Sequence, residues 1–566
     1  MNSFRFITGI LVVFLLIIST LAADNHNCEA CTNKCGTSIL LNNHATKEQL
    51  LRTIRLDASG LPLLGHKFAV SPNNIFKIHY DTSGVHAPNL TDLNQNGIPD
   101  FVDSVAHYFD FVYDIYINEL GYRSPYPDNN QRGSDHYDVY LGDVGNSDDA
   151  NVQLYSEGGT YGFTDYTSKD VIATSPFMRM YSYIVIDNDF AVTDSVRPLK
   201  SKPYAAFKYP GIPSLKVTVA HEFYHAIQFM YGISQPAAST IMEMTATAVE
   251  RYFFADVPDY IKYVRRLFNN PSSMPFGKDD AYTGYSHSVY NQFLIEKYGI
   301  EILRLLWENV AQGIEVYKAL DNALIFYGSS LPNSWCEFLE WAYFTGDRSG
   351  DKSNFSNSEE LPTIIPFSDI LFEAPSKSLS GRLSPIEFRL LRMAFPGIGE
   401  ISDDTLDVML GNIDIANASK QLDVSRSYFW QVANSEFTNS KIIEGTNYWY
   451  FLETDTNFLC SFRNLSKGGA NYEIDYAYPS PFRLSQDSYI LFPAPSDTEL
   501  YKKVSLVLYN SDMTPIYNGI IQVTSNNNKL VVRLDDLPKN LTSGVYIFGV
   551  HNGDKIKLGK LAVINE

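Results

Sequence analysis

Alternating apolar and polar positions predict short β-strands in the first half of the chain. Strand-like runs are NNIFKIHYDTSG, YDVYLGD, GGTYGFTDY and YSYIVIDNDFA, in which β-branched and aromatic residues are bounded by Gly, Asp and Asn. A helix is expected among them. This half is therefore predicted to be a sheet with a flanking helix.

From Leu215 to about Phe344 the apolar residues recur every three or four positions, which predicts helices. The helical runs are LKVTVAHEFYHAIQFMYG, TIMEMTATAVERYFF, SHSVYNQFLIEKYG, IEILRLLWENVAQG and SWCEFLEWAYF. Gly232 and Gly299 stand where a C-cap ends a helix. Beyond residue 350 short β-type runs separated by Asn, Ser and Gly predict two β-sandwich-like modules.

The pattern divides the chain into six parts. They are a signal peptide over 1–23, an N-terminal segment over 24–70 in the position of a pro-segment, a catalytic domain over 71–350, a linker over 351–375, a β-sandwich-like module over 376–476 and an Ig-like C-terminal domain over 477–566. The first part has Arg5 before an apolar run that ends in small residues, as secretory signals do. A retained membrane anchor is the alternative. We expect a secreted or cell-surface protein without an integral membrane span after signal removal.

Composition narrows the partners. Removing residues 1–23 takes away Arg5 alone, so 44 basic residues become 43 against 64 acidic ones, a net charge of −21. This surplus of carboxylates argues against a nucleic-acid partner.

Five cysteines in an exported chain leave at least one outside any intramolecular pair. Cys28, Cys31 and Cys35 in CEACTNKC favour one local disulfide, because a metal site would lack a fourth ligand nearby, whereas Cys336 and Cys460 stand alone.

The chemistry is expected in HEFYH. His221 and His225 fall at i and i+4 of a predicted helix, so both imidazoles can share one Zn²⁺, and Glu222 stands beside it. Zinc acidifies bound water, and a carboxylate there can take the proton and deliver it to a leaving amine. A catalytic zinc needs a third protein ligand, which Glu243 on the next helix supplies. The alternative, that Glu243 lines a solvated helix face, conflicts with its apolar neighbours.

HEFYHAIQF followed by EMTATAVE resembles the gluzincin metallopeptidases, and the stretch of about 70 to 350 is similar to a group of secreted bacterial metallopeptidases. The resemblance implies an α+β zincin-like domain with His221, His225 and Glu243 as zinc ligands and Glu222 as general base and acid. Some gluzincins orient a histidine with an Asp four residues after the Glu ligand. This sequence has Thr247 there, so the support of the histidine must be built differently.

Members of that family stabilise the oxyanion with a Tyr or His, and YTGYSHSVY offers three candidates. Tyr282, Tyr285 and His287 are those candidates, and Tyr285 is preferred because it follows a Gly-containing turn at the start of a predicted helix. A purely packing role for this tyrosine is the alternative.

DLNQNGIPDFVD has the spacing of a calcium loop, with oxygen-bearing residues at positions one, three, five, nine and twelve and Gly at six. The expected ligands are the side chains of Asp92, Asn94, Asn96, Asp100 and Asp103 with the carbonyl of Ile98. One structural Ca²⁺ is predicted. An Asx-rich turn without metal is the alternative.

The end of the chain, from AYPSPF to SGVYIF and beyond, resembles the sorting domains of type IX secretion, which implies the secretion machinery as a partner. An ordinary Ig-like module could look similar. Taken together, the sequence predicts a secreted zinc endopeptidase acting on a protein or peptide. The main alternative is a non-catalytic, calcium-stabilised surface-binding protein on a peptidase fold, and a glycoside hydrolase has only the aromatic content in its favour.

Overall fold

The fold combines helices and sheets. The computed structural model describes residues 34–37 and 62–565, except 127–132, 146–158, 167–170, 175–176, 197–203, 233–237, 279, 351–353, 372–375, 396–403, 415–416, 418–425, 434–440, 445–447, 455–474, 478–480, 486, 488, 496–502, 511–513, 523–528, 540 and 554. Within these residues there are eight α-helices and several sheets, so the chain has the mixed α and β composition that its pattern predicted.

The first half forms a five-stranded sheet in the order β1-β2-β3-β7-β4. Its strands are β1 Lys67–Val70, β2 Phe76–Tyr80, β3 Tyr137–Gly142, β4 Gly162–Asp165 and β7 Tyr183–Asp187, with two short ladders made by β5 Val171–Thr174 with β6 Phe177–Met180 and by β8 Ser195–Val196 with β9 Tyr204–Ala205. The three central strands run parallel, and β1 and β4 pair antiparallel at the two ends. The four strand-like runs of the sequence are confirmed as β2, β3, β4 and β7.

Eight helices cover this sheet and the region after it. They are α1 Asp100–Tyr113, α2 Ile212–Tyr231, α3 Ala238–Phe253, α4 Ile261–Asn269, α5 Ala281–Tyr298, α6 Glu301–Val310, α7 Val316–Phe326 and α8 Leu331–Tyr343, with a π-helical turn over Asp114–Glu119 and single 3₁₀ turns over Pro271–Ser273, Gly346–Arg348 and Leu534–Asp536. The prediction of helices between Leu215 and Phe344 is confirmed. Gly232 and Gly299 end α2 and α5 with φ angles of 92° and 90°, a conformation that glycine adopts without steric cost.

Glycine also lets α3 and α5 approach closely. A Cβ on Gly284 would lie 2.6 Å from the Cβ of Glu243 and 2.7 Å from the carbonyl oxygen of Thr240. Any larger residue would push the two helices apart. Gly284 therefore sets how near α5 comes to the candidate ligand Glu243.

The sheets after the helices begin within the predicted linker. Phe355, Leu361 and Ile364 are buried in the same core as the helices, as are Phe388 and Met409 from the following strands. One sheet has the order β10-β12-β13-β16 and another β11-β14-β15. The strands are β10 Ser368–Leu371, β11 Ser376–Leu383, β12 Phe388–Phe395, β13 Asp404–Asn412, β14 Arg426–Ala433, β15 Lys441–Glu444 and β16 Tyr448–Thr454.

The last part of the chain has a core of its own. Its buried residues run from Ala477 to Val563 and include Phe492 against Phe548, with ring centroids 5.1 Å apart. The strands are β17 Asp475–Tyr476, β18 Phe482–Arg483, β19 Tyr489–Pro493, β20 Lys503–Tyr509, β21 Pro515–Gln522, β22 Lys529–Arg533, β23 Gly544–Asn552 and β24 Lys555–Ile564. Six of them form one sheet, and β19 pairs with β22.

Among the residues that the structure describes, no helix is both long and apolar enough to cross a bilayer. The predicted signal peptide over 1–23 lies outside the described residues, as do Cys28, Cys31 and Cys460.

Candidate metal centre

Two neighbouring helices bring three metal-binding side chains together. His221 and His225 project from the same face of α2, and Glu243 comes from α3, which packs against α2. Glu243 Oε2 lies 3.0 Å from His221 Nε2 and 3.4 Å from His225 Nε2, and the two Nε2 atoms are 3.1 Å apart. The helical spacing therefore becomes one cluster of converging ligand atoms.

The other ring nitrogen of each imidazole, Nδ1, is hydrogen-bonded to a neighbouring side chain. His221 Nδ1 lies 2.7 Å from Glu250 Oε1, and His225 Nδ1 lies 2.7 Å from Gln228 Oε1. The Gln228 amide is fixed in turn, because its nitrogen donates to the carbonyl of Met242 at 3.1 Å. Each Nδ1–H thus has an oxygen acceptor, and the Nε2 atoms, which face the cluster, are the ring nitrogens that would bind a metal ion in place of a proton.

The electrostatics follow from this arrangement of buried charges. Burial lowers the pKa of His221, but hydrogen bonds and charges from Glu243 and Glu250 outweigh it and raise that pKa to about 10. Burial raises the pKa of Glu243, and the two histidines outweigh it and lower that pKa to about 2. The Glu243 carboxyl is therefore anionic over the ordinary pH range.

Glu222 stands beside the cluster on α2, with 1% of its surface exposed. Its Oε2 accepts a hydrogen bond from Thr164 Oγ1 at 2.9 Å and from Thr37 Oγ1 at 3.3 Å. Burial raises its pKa above the usual range for a carboxyl, against the opposing charges of His221 and His225. A carboxylate with a raised pKa takes up a proton more readily than an ordinary one, as a general base must.

The cluster fits a tetrahedral metal. Ligand atoms about 2.0–2.1 Å from a tetrahedral zinc lie about 3.3 Å from one another, and the three separations above fall close to that value. Glu243 Oε1 is buried without a hydrogen-bond partner among the described residues, which metal coordination would remedy. The Cys35 sulfur completes the group, and its ligand atom and those of the other three all lie within 4.8 Å of one another.

The three oxyanion candidates occupy different surroundings. The Tyr285 ring centroid is 6.2 Å from that of His221, and burial keeps its pKa far above the usual range, so the hydroxyl remains a donor. The Tyr282 ring is 6.2 Å from that of Tyr285 and half-buried. His287 packs against Phe276, and its Nδ1–H donates to the carbonyl of Thr283 at 2.9 Å.

The predicted calcium loop folds around its own polar side chains just before α1. Asn94 and Asn96 both donate to Asp103 Oδ2, at 3.1 and 2.8 Å. The Asp92 carboxylate accepts the backbone N–H of Gly97 at 2.9 Å, and that of Asp100 accepts the N–H of Leu93 at 3.1 Å. The Ile98 N–H donates to Asn96 Oδ1 at 2.8 Å, and the side chains of Asn94 and Asn96 are exposed.

A second acidic group brings Asp143, Asp187 and Asp194 together at the end of the sheet. Asp187 Oδ2 accepts the backbone N–H of Gly145 at 2.9 Å, and Oδ1 accepts that of Phe190 at 2.6 Å. These backbone bonds tie the loops after β3 and β7 to the Asp187 carboxylate.

No role at the centre was predicted for Glu250, Gln228 and Lys34, and Cys35 was expected only as a candidate for a local disulfide. Glu250 lies seven residues after Glu243, on the same helical face, and Gln228 lies three residues after His225; both spacings could have indicated them. Lys34 and Cys35 carry no such signal, because they come from a distant segment, from which Lys34 Nζ reaches Glu250 Oε2 at 2.6 Å and Cys35 N–H reaches the Tyr285 hydroxyl at 2.9 Å. Of the cysteines that the structure describes, Cys35 and Cys336 are free thiols.

Comparison with protein-family models found no match, and neither did comparison with curated proteins. Among solved structures, the crystal structure of neural ectodermal development factor IMP-L2 matches 35% of this chain and 91% of that one, at 11% sequence identity and a TM-score of 0.11. A likeness at that level carries no conclusion about fold or function.

Proposed function

We propose that the protein is a secreted zinc-dependent endopeptidase, with a zincin-like domain as its catalytic part. The observation that carries the proposal is the convergence of His221 Nε2, His225 Nε2 and Glu243 Oε2 within 3.4 Å of one another, with Glu222 next to them. Three protein ligands and a neighbouring carboxylate are what a hydrolytic zinc site requires.

A zinc ion held there would supply acidification of water and polarisation of a carbonyl group. Glu222 would take the proton from the attacking water at Oε2 and deliver it to the nitrogen of the leaving amine. Thr164 fixes that oxygen through its 2.9 Å hydrogen bond. The Tyr285 hydroxyl would donate to the developing oxyanion.

A peptide is the substrate class best supported, because the site lies beside an edge strand. β4 ends the five-stranded sheet, and an extended segment of this chain already pairs with its outer side through backbone hydrogen bonds. A Cβ on Gly162 of β4 would lie 3.2 Å from Glu222 Cγ, so the strand passes directly against the general base. Added strands of this kind are a common way of binding extended peptides.

The rest of the chain would serve stability and export. We assign one structural Ca²⁺ to the loop from Asp92 to Asp103, supported by the spacing of its oxygen-bearing residues and by the hydrogen bonds that Asn94 and Asn96 donate to Asp103. The strands between residues 376 and 476 would form a sandwich-like module. Residues 477–566, with their separate core, would be the domain recognised by the secretion machinery.

The test is metal analysis combined with hydrolysis of casein, before and after chelation. Wild-type chain and Cys35→Ser are both assayed, because the Cys35 thiol lies in the same cluster. We expect one zinc per chain, hydrolysis that a chelator abolishes, and loss of hydrolysis with retained zinc in Glu222→Gln. Equal hydrolysis of casein by two proteins that differ only in the Glu222→Gln substitution would refute the mechanism. Zinc binding without hydrolysis in any form would favour the non-catalytic binding protein.

A further inference from the structure

The short segment Lys34–Thr37 lies at the candidate centre as an added strand. Gly36 N–H donates to the carbonyl of Gly162 at 3.0 Å, and Tyr161 N–H donates to the carbonyl of Lys34 at 2.8 Å. Cys35 bridges Gly162 in the parallel direction. The outer edge of β4 is thus occupied by the chain's own N-terminal part.

This strand places the Cys35 sulfur close to the ligand atoms of His221, His225 and Glu243. Cys35 is fully buried, and its Sγ belongs to the group of four ligand atoms that lie within 4.8 Å of one another. Thiolate sulfur is a preferred zinc ligand, and a zinc with four protein ligands is closed, whereas a catalytic zinc keeps one position open. Glu243 Oε1, buried without a partner among the described residues, independently indicates a position for a cation beside these ligand atoms.

The same strand covers the two groups assigned to the reaction. Thr37 Oγ1 donates to Glu222 Oε2 at 3.3 Å. The Tyr285 hydroxyl accepts the N–H of Cys35 at 2.9 Å and lies 3.2 Å from the Cys35 carbonyl oxygen. General base, oxyanion donor and metal ligands are therefore all engaged by residues of one short segment.

A buried ion pair fixes the segment in place. Lys34 is 1% exposed, and its Nζ lies 2.6 Å from Glu250 Oε2 and 2.8 Å from Asp259 Oδ2. Glu250 is also the partner of His221 Nδ1, so the clamp is continuous with the support of the metal ligand. Removing Lys34 from this place would leave two buried carboxylates without a cation. That cost keeps the segment in place.

We infer that Lys34–Thr37 is an intramolecular inhibitor, in which the Cys35 thiolate takes the fourth ligand position of the metal and keeps the peptidase latent. This inference rests on the proposed function. On ligation the Cys35 thiol loses its proton to solvent, and no electron is transferred. When the segment leaves, the thiol regains a proton and the position of the sulfur opens to water and to a substrate peptide.

A permanently closed structural site is the competing explanation, and the neighbours of the sulfur argue against it. A structural site needs neither a buried carboxylate such as Glu222 beside the ligands nor a tyrosine hydroxyl, that of Tyr285, hydrogen-bonded to the backbone of the segment. Both are explained when the segment occupies the place of a substrate.

The experiment compares wild type, Cys35→Ser and Cys336→Ser, each as residues 24–566. Cys336 is the matched control, since it is also a buried free thiol but lies in the helical core. Each protein is loaded with Co²⁺ for absorption spectra and with Zn²⁺ for hydrolysis of casein. Wild type and Cys336→Ser are expected to show a thiolate-to-cobalt charge-transfer band in the near ultraviolet that Cys35→Ser lacks.

Cys35→Ser is also expected to hydrolyse casein faster than wild type by at least about tenfold, and by about 100-fold if one molecule in a hundred is open in the wild type. Absence of the thiolate band in wild type overturns the inference, and this readout stands even if Cys35→Ser fails to fold. Equal hydrolysis by wild type and Cys35→Ser overturns the inference alone. A thiolate band with no hydrolysis by folded, zinc-loaded Cys35→Ser overturns the peptidase proposal, and latency with it, in favour of a structural site.

Discussion

The substitution Glu250→Gln tests how His221, a proposed zinc ligand, is held. The carboxylate of Glu250 joins two buried partners, His221 Nδ1 at 2.7 Å and Lys34 Nζ at 2.6 Å. A glutamine keeps the volume but has one oxygen and one NH₂ group. If its oxygen faces His221, its NH₂ meets the Lys34 ammonium; if it turns over, its NH₂ faces His221 Nδ1 and favours the tautomer in which Nε2 carries the proton and cannot bind metal.

Either orientation loses one charge-assisted hydrogen bond, which contributes about 1.5–3 kcal/mol. Loss of an outer partner of a ligating histidine typically weakens metal binding by about 10- to 100-fold, which is the same range of free energy. We therefore expect the zinc dissociation constant of Glu250→Gln to rise by about 10- to 100-fold.

The assay is competition for zinc against a chelator of known affinity, with circular dichroism to confirm folding. Asp256→Asn is the matched control, because it removes a carboxylate near the same helices whose side chain is 66% exposed and is paired with Lys216 at 3.1 Å. Its zinc affinity should stay within about twofold of wild type, since exposed ion pairs contribute little. A folded Glu250→Gln protein with wild-type zinc affinity would refute the orienting role of Glu250.

Four other outcomes are expected. In the Cys35→Ser background, Tyr285→Phe should lower kcat by about 10²- to 10³-fold with little change in KM, measured by steady-state kinetics; unchanged kcat would leave Tyr285 a packing residue. Replacing Asp92 and Asp103 by Asn should lower Tm and abolish its rise with added Ca²⁺, whereas a wild-type Tm indifferent to Ca²⁺ would mean an Asx-rich turn. Burial lowers the pKa of His287 from 6.5 to about 4, so the neutral imidazole stabilises the fold above pH 6.5, and this stability is lost as the pH falls toward 4. The loss is on the order of 3 kcal/mol. Denaturant unfolding of His287→Gln should therefore depend less on pH than that of wild type, and an equal dependence would contradict this reasoning. Deleting residues 478–566 should retain the protein within the cell envelope with zinc affinity unchanged, and normal secretion of the shortened chain would contradict the sorting role.

Much of the centre could be predicted because its geometry is local. The i, i+4 spacing of His221 and His225 guarantees a common face once α2 forms, and the apolar surroundings of Glu243 in the sequence indicated a buried carboxylate. The helix ends at Gly232 and Gly299 were equally readable, since a left-handed residue ends a helix without regard to the rest of the fold.

The support of the histidines was only partly readable. Thr247 showed that the usual acidic partner was missing, but not that Glu250, one turn further along α3, reaches His221 instead. That choice depends on the distance and angle between α2 and α3. Close packing sets both, and Gly284 is what allows α5 to press on α3.

The sequence by itself determined the helices, the strands of the first sheet, the histidine pair and its carboxylate neighbour. Each of these depends on residues that lie within a few positions of one another, where hydrophobic periodicity can be read. Only the tertiary structure decided that Cys35 and Lys34 lie at the candidate centre. Cys35 meets Tyr285 across 250 positions, and Lys34 meets Glu250 across 216. Contacts so distant in sequence leave no periodic trace. They form because a free edge strand needs a backbone partner and a buried pair of carboxylates needs a cation, and folding brings the one segment that supplies both to the same place.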